Sequence, residues 1–243
     1  MFRRLSARIK KTGARIALLS VEMTIIIALF GVALVLFVFI TRKIFVQNRL
    51  QFDQRVFAWL DNHVSKDNND IMLFFTFLGR HEFLIPANLL LIAYFLFIRK
   101  EKWYSIKVPA IALSSLGLMF LLKFIFHRQR PLDPLLKEAK GLSFPSGHAL
   151  MSVTFYGLLI YIIFKTVRNK ELKWTLICLL ILLIMIIGFS RIYLRVHYAS
   201  DVAAGYCIGF LWLVLTVWLL NKLEHFSERK LGNEVRGNLG KAA

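Results

Sequence analysis

The sequence predicts an all-α, polytopic membrane protein with six transmembrane helices. Of its 243 residues, 58% are hydrophobic and 14% are aromatic, which is too apolar for a soluble domain of this size. Six apolar runs approach the roughly 20 residues that a helix needs to cross a bilayer. The formal net charge is +18, and the charged residues cluster between the apolar runs, as expected for anchoring to anionic lipid headgroups. Nucleic acid is therefore not a predicted partner.

The apolar runs define the predicted helices in order. The first run follows a basic segment, residues 1–15, and is long enough to be a retained span rather than a cleaved signal peptide. The predicted spans are residues 18–40, 82–98, 103–126, 148–164, 174–189 and 198–220. Together they make a membrane domain over residues 16–220, followed by a polar tail over residues 221–243.

A long polar connection, residues 41–82, separates the first two spans. Within it, apolar residues recur at near-helical spacing, which suits a short helix lying flat in the membrane interface; they are Phe52, Val56, Trp59, Leu60 and Val64. This helix either guides a lipid headgroup or serves as a plain connector. The apolar run 71–78 is too short to span alone, so it is either interfacial or an extension of the next helix.

Six spans place both termini on one side of the membrane. That side holds the larger share of the 32 Lys and Arg residues, which predicts cytoplasmic termini in a cell membrane. The three polar stretches described below then all fall on the outer, periplasmic or extracellular, side. In the last span, Gly205 and Gly209 have the spacing of close helix packing, within the bundle or between two copies.

The stretch 188–201 carries the most telling polar residues. Polar and charged groups beside hydrocarbon are costly, so a purely structural role is unexpected. On a helix, His197 and Asp201 would stack on one face, and the carboxylate would fix the imidazole tautomer and leave the other ring nitrogen basic. The alternative is that Ser200 or Asp201 only caps the last span. Arg191 can fork onto two phosphate oxygens.

A second stretch, Pro145-Ser-Gly-His148, precedes an apolar helix. Proline and serine favour a helix start, where exposed N–H groups and the helix dipole attract an anion. The Ser146 hydroxyl can donate to that anion, and Gly147 lets it approach the main chain. His148 would then lie beside it, ready to protonate a leaving oxygen. A plain helix N-terminus would have a similar sequence.

A third stretch holds Lys123 and Arg130, seven residues apart. This separation is near two helical turns, so both can face inward if the helix persists until Pro131. Basic residues at a helix end often meet lipid phosphates instead. In the same stretch, His127 and Arg128 are interpreted as interface residues.

The chain resembles the type 2 phosphatidic acid phosphatase superfamily, also called lipid phosphate phosphatases. The resemblance lies in three ordered motifs within residues 123–201, which match without a gap or substitution. They are Lys123-(six residues)-Arg130-Pro131, Pro145-Ser-Gly-His148, and Ser190-Arg191-(five residues)-His197-(three residues)-Asp201. The six apolar runs also fit the family's six-helix plan.

The resemblance implies a role for each motif residue. His197 is the nucleophile that becomes a phosphohistidine, Asp201 orients it, and His148 is the general acid. The implied substrate-binding residues, which hold the phosphate oxygens, are Lys123, Arg130, Ser146, Gly147 and Arg191. Because these cations can stabilise the transferring group, no metal or other cofactor is predicted.

The predicted function is metal-independent hydrolysis of a membrane lipid phosphate. The candidate substrates are a polyprenyl diphosphate, ranked first, a phosphatidylglycerophosphate, a phosphatidate and a lipid A phosphate. A phosphotransferase with the same site and a non-enzymatic lipid-headgroup-binding protein are the alternatives. The superfamily also contains vanadium haloperoxidases, but those relatives are soluble and this chain is apolar.

Overall fold

The structure is a computed structural model that describes residues 2–47, 51–132, 134–136 and 141–239. Side chains are described for residue 21 and, within those ranges, for residues 23–230. The side chains of the predicted basic segment 1–15 and of the end of the predicted tail 221–243 lie outside the described residues.

The described residues form helices and no strand, which confirms the all-α class. The helices are α1 Phe2–Phe45, α2 Gln51–Asp61, α3 Lys66–Phe77, α4 His81–Ala93, α5 Lys102–Phe126, α6 Gly147–Thr166, α7 Lys170–Tyr193 and α8 Ala199–Leu239. A π-helical turn, Tyr94–Arg99, extends α4.

Six helical stretches of the described residues are long and apolar enough to cross a membrane, as predicted. They are Met23–Phe45, Lys66–Arg99, Lys102–Phe126, Gly147–Thr166, Lys170–Tyr193 and Ala199–Lys230. The chain is therefore a multi-pass membrane protein. α8 continues through much of the predicted tail, to Leu239.

The second span begins earlier than the sequence predicts. The apolar run 71–78 lies in α3, which joins α4 through a tight turn and so extends the next helix. Ser65 caps the start of α3 by accepting the N–H of Asn68 at 3.2 Å. The Tyr156 hydroxyl donates to the carbonyl of Leu78 at 2.9 Å and fixes the turn. The hydropathy pattern did not predict this helix because its first residues, 66–70, are polar.

α6 lies at the centre of the bundle and packs against α5, α7 and α8. Its buried residues Val153, Phe155 and Tyr156 form a core with Ile184 and Ile187 of α7. Gly205 and Gly209 of α8 face α6 so closely that a Cβ at Gly205 would lie 2.8 Å from the Ser146 carbonyl oxygen, and one at Gly209 would lie 3.0 Å from the Leu150 carbonyl oxygen. The Gly-x-x-x-Gly spacing therefore serves packing within the bundle.

The predicted interfacial helix is α2, which packs against the ends of α7 and α8. Leu60 is buried in a cluster with Tyr193, Leu194 and Val196. Trp59 is 58% exposed, as suits an aromatic ring at a membrane interface. α2 thus covers the end of the bundle where the three motifs meet.

Candidate active site

The three motifs come together at one end of the bundle. The C-terminal ends of α5 and α7 and the N-terminal ends of α6 and α8 all reach this end. The backbone N–H of Ser146, before α6, donates to the carbonyl of Asp201 in α8 at 3.0 Å. This bond ties the second motif directly to the third.

His197 lies in the short link between α7 and α8 and is only 2% exposed. Its Nε2 is 3.4 Å from Nη1 of Arg130. Burial lowers the pKa of His197 well below its usual range, and the positive charges of Arg130, Arg191 and Lys123 lower it further. The imidazole is therefore neutral at pH 7, which is the state a nucleophile needs.

Asp201 does not contact His197 in the way that the four-residue spacing predicts. α8 begins at Ala199, so His197 precedes the helix, and its Nδ1 lies 3.7 Å from Oδ2 of Asp201. The hydroxyl of Ser143 fills the gap, 3.3 Å from Nδ1, and donates to Oδ2 at 2.5 Å. Ser143 is not among the predicted site residues, because its position two residues before Pro145 has no local signature.

Arg128 is a buried member of the site and not the interface residue that the sequence predicts. It is 8% exposed; its guanidinium contacts Oδ1 of Asp201 and donates to Oδ2 of Asp53 at 2.9 Å. Asp53 belongs to α2 and was also missed. The sequence does contain a sign of its role. Residues 53, 56, 57 and 60 share the spacing of one helix face, and Asp53 is the only charged residue on that otherwise apolar face.

Three other cations interact electrostatically with the imidazole, and none of them forms an ion pair with a carboxylate among the described residues. Lys123 donates to the carbonyl of Leu142. Arg130 donates to the carbonyl of Val196 at 2.7 Å and to that of Gly141 at 3.0 Å.

Arg191 is the third cation, and it donates to the Thr76 hydroxyl at 2.6 Å. Its Nε is buried and has no partner among the described residues. All three cations therefore contact neutral groups only, which leaves their positive charge available to a ligand.

The first motif does not form one continuous helix. The condition under which Lys123 and Arg130 would share a helix face is therefore not met. α5 ends at Phe126, and His127 has a left-handed backbone with φ of 43°. Arg130 therefore approaches His197 from the loop, whereas Lys123 lies on the helix and donates to Leu142. Burial lowers the pKa of Arg130.

His148 lies in the first turn of α6, and its Nε2 is buried without a partner among the described residues. It interacts electrostatically with His197, Arg191 and Arg130. The α3–α4 turn closes its other side, where a Cβ at Gly79 would lie 3.1 Å from the His148 ring. The unpaired nitrogen is a polar group ready for a ligand.

Ser146 and Gly147 have packing roles in addition to those predicted. Ser146 is fully buried and caps α6 by accepting the N–H of Ala149 at 3.5 Å. A Cβ at Gly147 would lie 2.6 Å from the sulfur of Met119. A side chain at this position would therefore displace the flexible Met119 of α5, a packing contact that the motif alone does not indicate.

A groove of about 420 Å³ opens beside Lys123 and Arg130. Its other lining residues are Gly141, Leu142, Phe120 and Phe124. The two phenylalanines are 60% and 72% exposed on the outer surface of α5. The groove thus combines two cations with an exposed apolar wall on a predicted membrane span. No cluster of three His, Cys, Asp or Glu side chains suited to a metal ion occurs in the described part of the chain.

Comparisons with known proteins identify the family. Residues 104–224 match the PAP2 superfamily. The chain is 30% identical to phosphatidylglycerophosphatase B of Bacillus subtilis over 164 residues, which cover 66% of this chain and 79% of that protein. The chain belongs to the PAP2 superfamily. The predicted resemblance to lipid phosphate phosphatases is therefore confirmed.

A second relative and a solved structure agree with this membership. The undecaprenyl-diphosphatase of Sulfolobus acidocaldarius is 26% identical over 169 residues, covering 67% of this chain and 76% of that protein. The crystal structure of a transmembrane PAP2-type phosphatidylglycerolphosphate phosphatase from Bacillus subtilis superposes with a TM-score of 0.70 at 26% identity, covering 81% of this chain and 96% of that one. Both the fold and the enzyme class, a lipid phosphatase, match the prediction.

Proposed function

We propose that this membrane phosphatase transfers the phosphoryl group of a lipid phosphate or diphosphate to His197 and then to water. The Nε2 of His197 attacks phosphorus while the bond to the lipid-side oxygen breaks. Water then attacks the phosphohistidine, which releases inorganic phosphate and regenerates the imidazole. Each step forms one bond to phosphorus and breaks another, so no redox partner is needed.

The unpaired cations around His197 are the observation that carries this proposal. Lys123, Arg130 and Arg191 contact neutral partners only, in a partly buried site where charge interactions are strong. A phosphoryl group in transfer spreads negative charge over its equatorial oxygens and needs positioned cations. These three side chains meet that need without a metal ion.

The unpaired imidazole of His148 supports its role as the general acid. The leaving lipid oxygen needs a proton as its bond to phosphorus breaks, and a positioned histidine can supply one. In the second step the same nitrogen accepts a proton from the attacking water. His148 interacts electrostatically with His197 and Arg191, which suits a residue on the other side of one phosphorus atom.

The groove beside Lys123 and Arg130 supports a lipid substrate. A headgroup at the two cations would leave its hydrocarbon chain along Phe120 and Phe124, which face the bilayer. Among the candidate substrates, a polyprenyl diphosphate and a phosphatidylglycerophosphate correspond to the named activities of two relatives, and the proposal retains all four predicted classes for the test below.

We also propose that both termini are cytoplasmic in the cell membrane and that residues 16–220 form the catalytic domain, with its site on the outer side. The distribution of Lys and Arg supports this orientation. Reporter proteins fused to the C-terminus, one active only in the cytoplasm and one only outside it, test the arrangement. Activity of the outside reporter alone would reverse it.

The experiment that tests the function measures phosphate release by the purified protein from the four lipid classes in detergent. We expect turnover of at least one lipid in excess EDTA, inhibition by vanadate as a phosphoryl mimic, and no detectable turnover by His197→Ala. p-Nitrophenyl phosphate, a soluble phosphate monoester, is assayed alongside them as a substrate without a lipid chain.

Three outcomes would contradict the proposal. Turnover that requires added Mg²⁺ would show that the side-chain cations do not suffice for catalysis. Full turnover by His197→Ala would show that His197 is not the nucleophile. Transfer of the phosphoryl group to an added alcohol, with no free phosphate, would indicate a phosphotransferase instead.

A further inference from the structure

A buried ion network lies behind Asp201 and connects it to α2. Arg128 contacts Oδ1 of Asp201 and donates to Asp53 at 2.9 Å and to the Ser200 hydroxyl at 2.8 Å. Asp53 in turn accepts the N–H of Ser200 at 2.9 Å and its hydroxyl at 2.6 Å. Each of these four residues is at most 8% exposed.

The network is unbalanced in charge, unlike a simple structural ion pair. Two carboxylates, Asp53 and Asp201, share the single guanidinium of Arg128. Isolated charge is costly in a buried site, so the surplus negative charge must be compensated elsewhere. The second oxygen of Asp201 faces the Ser143 hydroxyl and the Tyr198 N–H, and Ser143 leads to His197.

We propose that Asp53 and Arg128 are positioning residues for phosphoryl transfer, which set the orientation and charge of Asp201 and, through Ser143, of His197. This inference rests on the proposed function of His197. It assigns a catalytic contribution to α2, which lies outside the three motifs and outside residues 104–224 that match the family.

The geometry indicates how the network acts. Arg128 holds Oδ1 of Asp201, so that Oδ2 is left to Ser143. Asp53 fixes the other half of the guanidinium and also the first turn of α8 through Ser200. If Asp53 lost its charge, Arg128 would pair with Asp201 alone and draw the carboxylate away from the imidazole.

The charges of the network also affect the protonation of His197. That protonation governs the fall of kcat/KM at low pH, here called the acidic limb of the pH profile. Other charged or titratable groups face this imidazole from each packed element: Lys123 of α5, Arg130 of the loop, His148 of α6, Arg191 of α7 and Asp201 of α8. These groups are unchanged in variants of Asp53 and Arg128, so a shift of the limb reports on the network.

The experiment compares Asp53→Asn, Arg128→Gln and the double variant in detergent. We expect kcat to fall by up to about 100-fold with little change in KM, since a displacement of about 1 Å at reacting groups has that effect. Loss of the negative charge in Asp53→Asn should move the acidic limb to lower pH. Loss of the positive charge in Arg128→Gln should move it to higher pH, each by up to about one unit. The double variant keeps the net charge, so its limb should return towards that of the wild type.

Matched controls separate the network from ordinary surface ion pairs. Asp61 lies on the same helix and pairs with Arg195, and both are more exposed. Asp61→Asn and Arg195→Gln should therefore keep wild-type kcat and an unshifted acidic limb. Arg128→Lys retains the charge but not the fork, so it should lower kcat and leave the limb in place.

Folded Asp53→Asn with wild-type kcat and limb would overturn the inference, even if His197→Ala is inactive. Shifts of both single variants in the same direction would also overturn it, because they would indicate a general disturbance. If Arg128→Gln does not fold, Asp53→Asn and Arg128→Lys carry the test. If Asp53→Asn is also unfolded and folded Arg128→Lys has wild-type kcat, the network is structural. An active His197→Ala would instead defeat the proposed function itself.

Discussion

Buried charged side chains occur at both ends of this bundle, and their pairing differs between the two ends. At the end opposite the motifs, Lys107 of α5 donates to Glu224 at 2.6 Å and to Asn221 at 2.7 Å, both on α8. Asn221 also donates to the Tyr161 hydroxyl at 3.1 Å. Glu224 lies 23 residues beyond Asp201 on the same helix, or about 35 Å along its axis at 1.5 Å per residue.

Apart from Arg128, which pairs with Asp53 and Asp201, the difference lies in whether each cation has a negative partner. Lys107 is 2% exposed and matched by one carboxylate, so its charge is used to join α5 to α8. Lys123, Arg130 and Arg191 have neutral partners only, and the Nε2 of His148 has none among the described residues. A matched charge stabilises the fold, whereas unmatched cations and an unpaired imidazole indicate a site for an anion.

Replacement of His148 should give the largest effect among the cations and imidazoles around His197. We expect His148→Gln to lower kcat by about 10²- to 10⁴-fold, since it removes the general acid. The loss should be smaller for p-nitrophenyl phosphate, whose leaving oxygen needs no proton, than for an alkyl phosphate. Equal losses on both substrates would argue against proton donation by His148.

Replacement of Arg191 should give a smaller loss. Arg191→Lys keeps the charge but not the fork, and we expect kcat to fall by roughly 100-fold, as for the removal of one donor from a transition-state site. The thermal unfolding midpoint should change little. A large drop in that midpoint with normal kcat would mean that Arg191 serves the fold, as Lys107 does.

The pH dependence should show the effect of the unmatched cations on His197. Burial and the neighbouring positive charges lower the pKa of His197 below its usual value, so the neutral imidazole persists to lower pH. We expect the acidic limb of kcat/KM to lie below about 6.5, the ordinary value for histidine. Arg130→Gln removes one positive charge and should move the limb upward.

Replacement of Lys107 should have the smallest effect on activity. Lys107→Met leaves Glu224 without its partner and should destabilise the protein by about 3 kcal/mol, while kcat per folded molecule stays unchanged. The double variant with Glu224→Met should recover most of the unfolding midpoint, because an apolar pair can replace a buried ion pair. A loss of kcat in folded Lys107→Met would erase the distinction between the two ends.

Hydropathy predicted most of the fold because a bilayer demands long apolar helices. The number of spans and the bounds of α5 agree closely with the structure. The start of α3 was missed because its first residues, Lys66 to Asp70, are polar and resemble a loop. The capping hydroxyl of Ser65 and the contact of Tyr156 with Leu78 stabilise that helix, and the second of these is a long-range contact.

The candidate site likewise contains residues that the sequence predicts and residues that it does not. Spacing within each motif indicated His197, His148 and the three unmatched cations, which the structure brings together. Asp53 and Arg128 were missed because their partners are 72 to 147 residues away along the chain. No local periodicity encodes such a pairing.

The most direct test of the central claim is the capture of a phosphorylated His197. Protein mixed with a ³²P-labelled lipid phosphate is quenched in base, because phosphohistidine is labile in acid, and the labelled residue is located by mass spectrometry. We expect a base-stable label on His197 that is absent from His197→Ala and unchanged in Lys107→Met. A label on any other residue, or rapid turnover without a phosphorylated protein under single-turnover conditions, would contradict it.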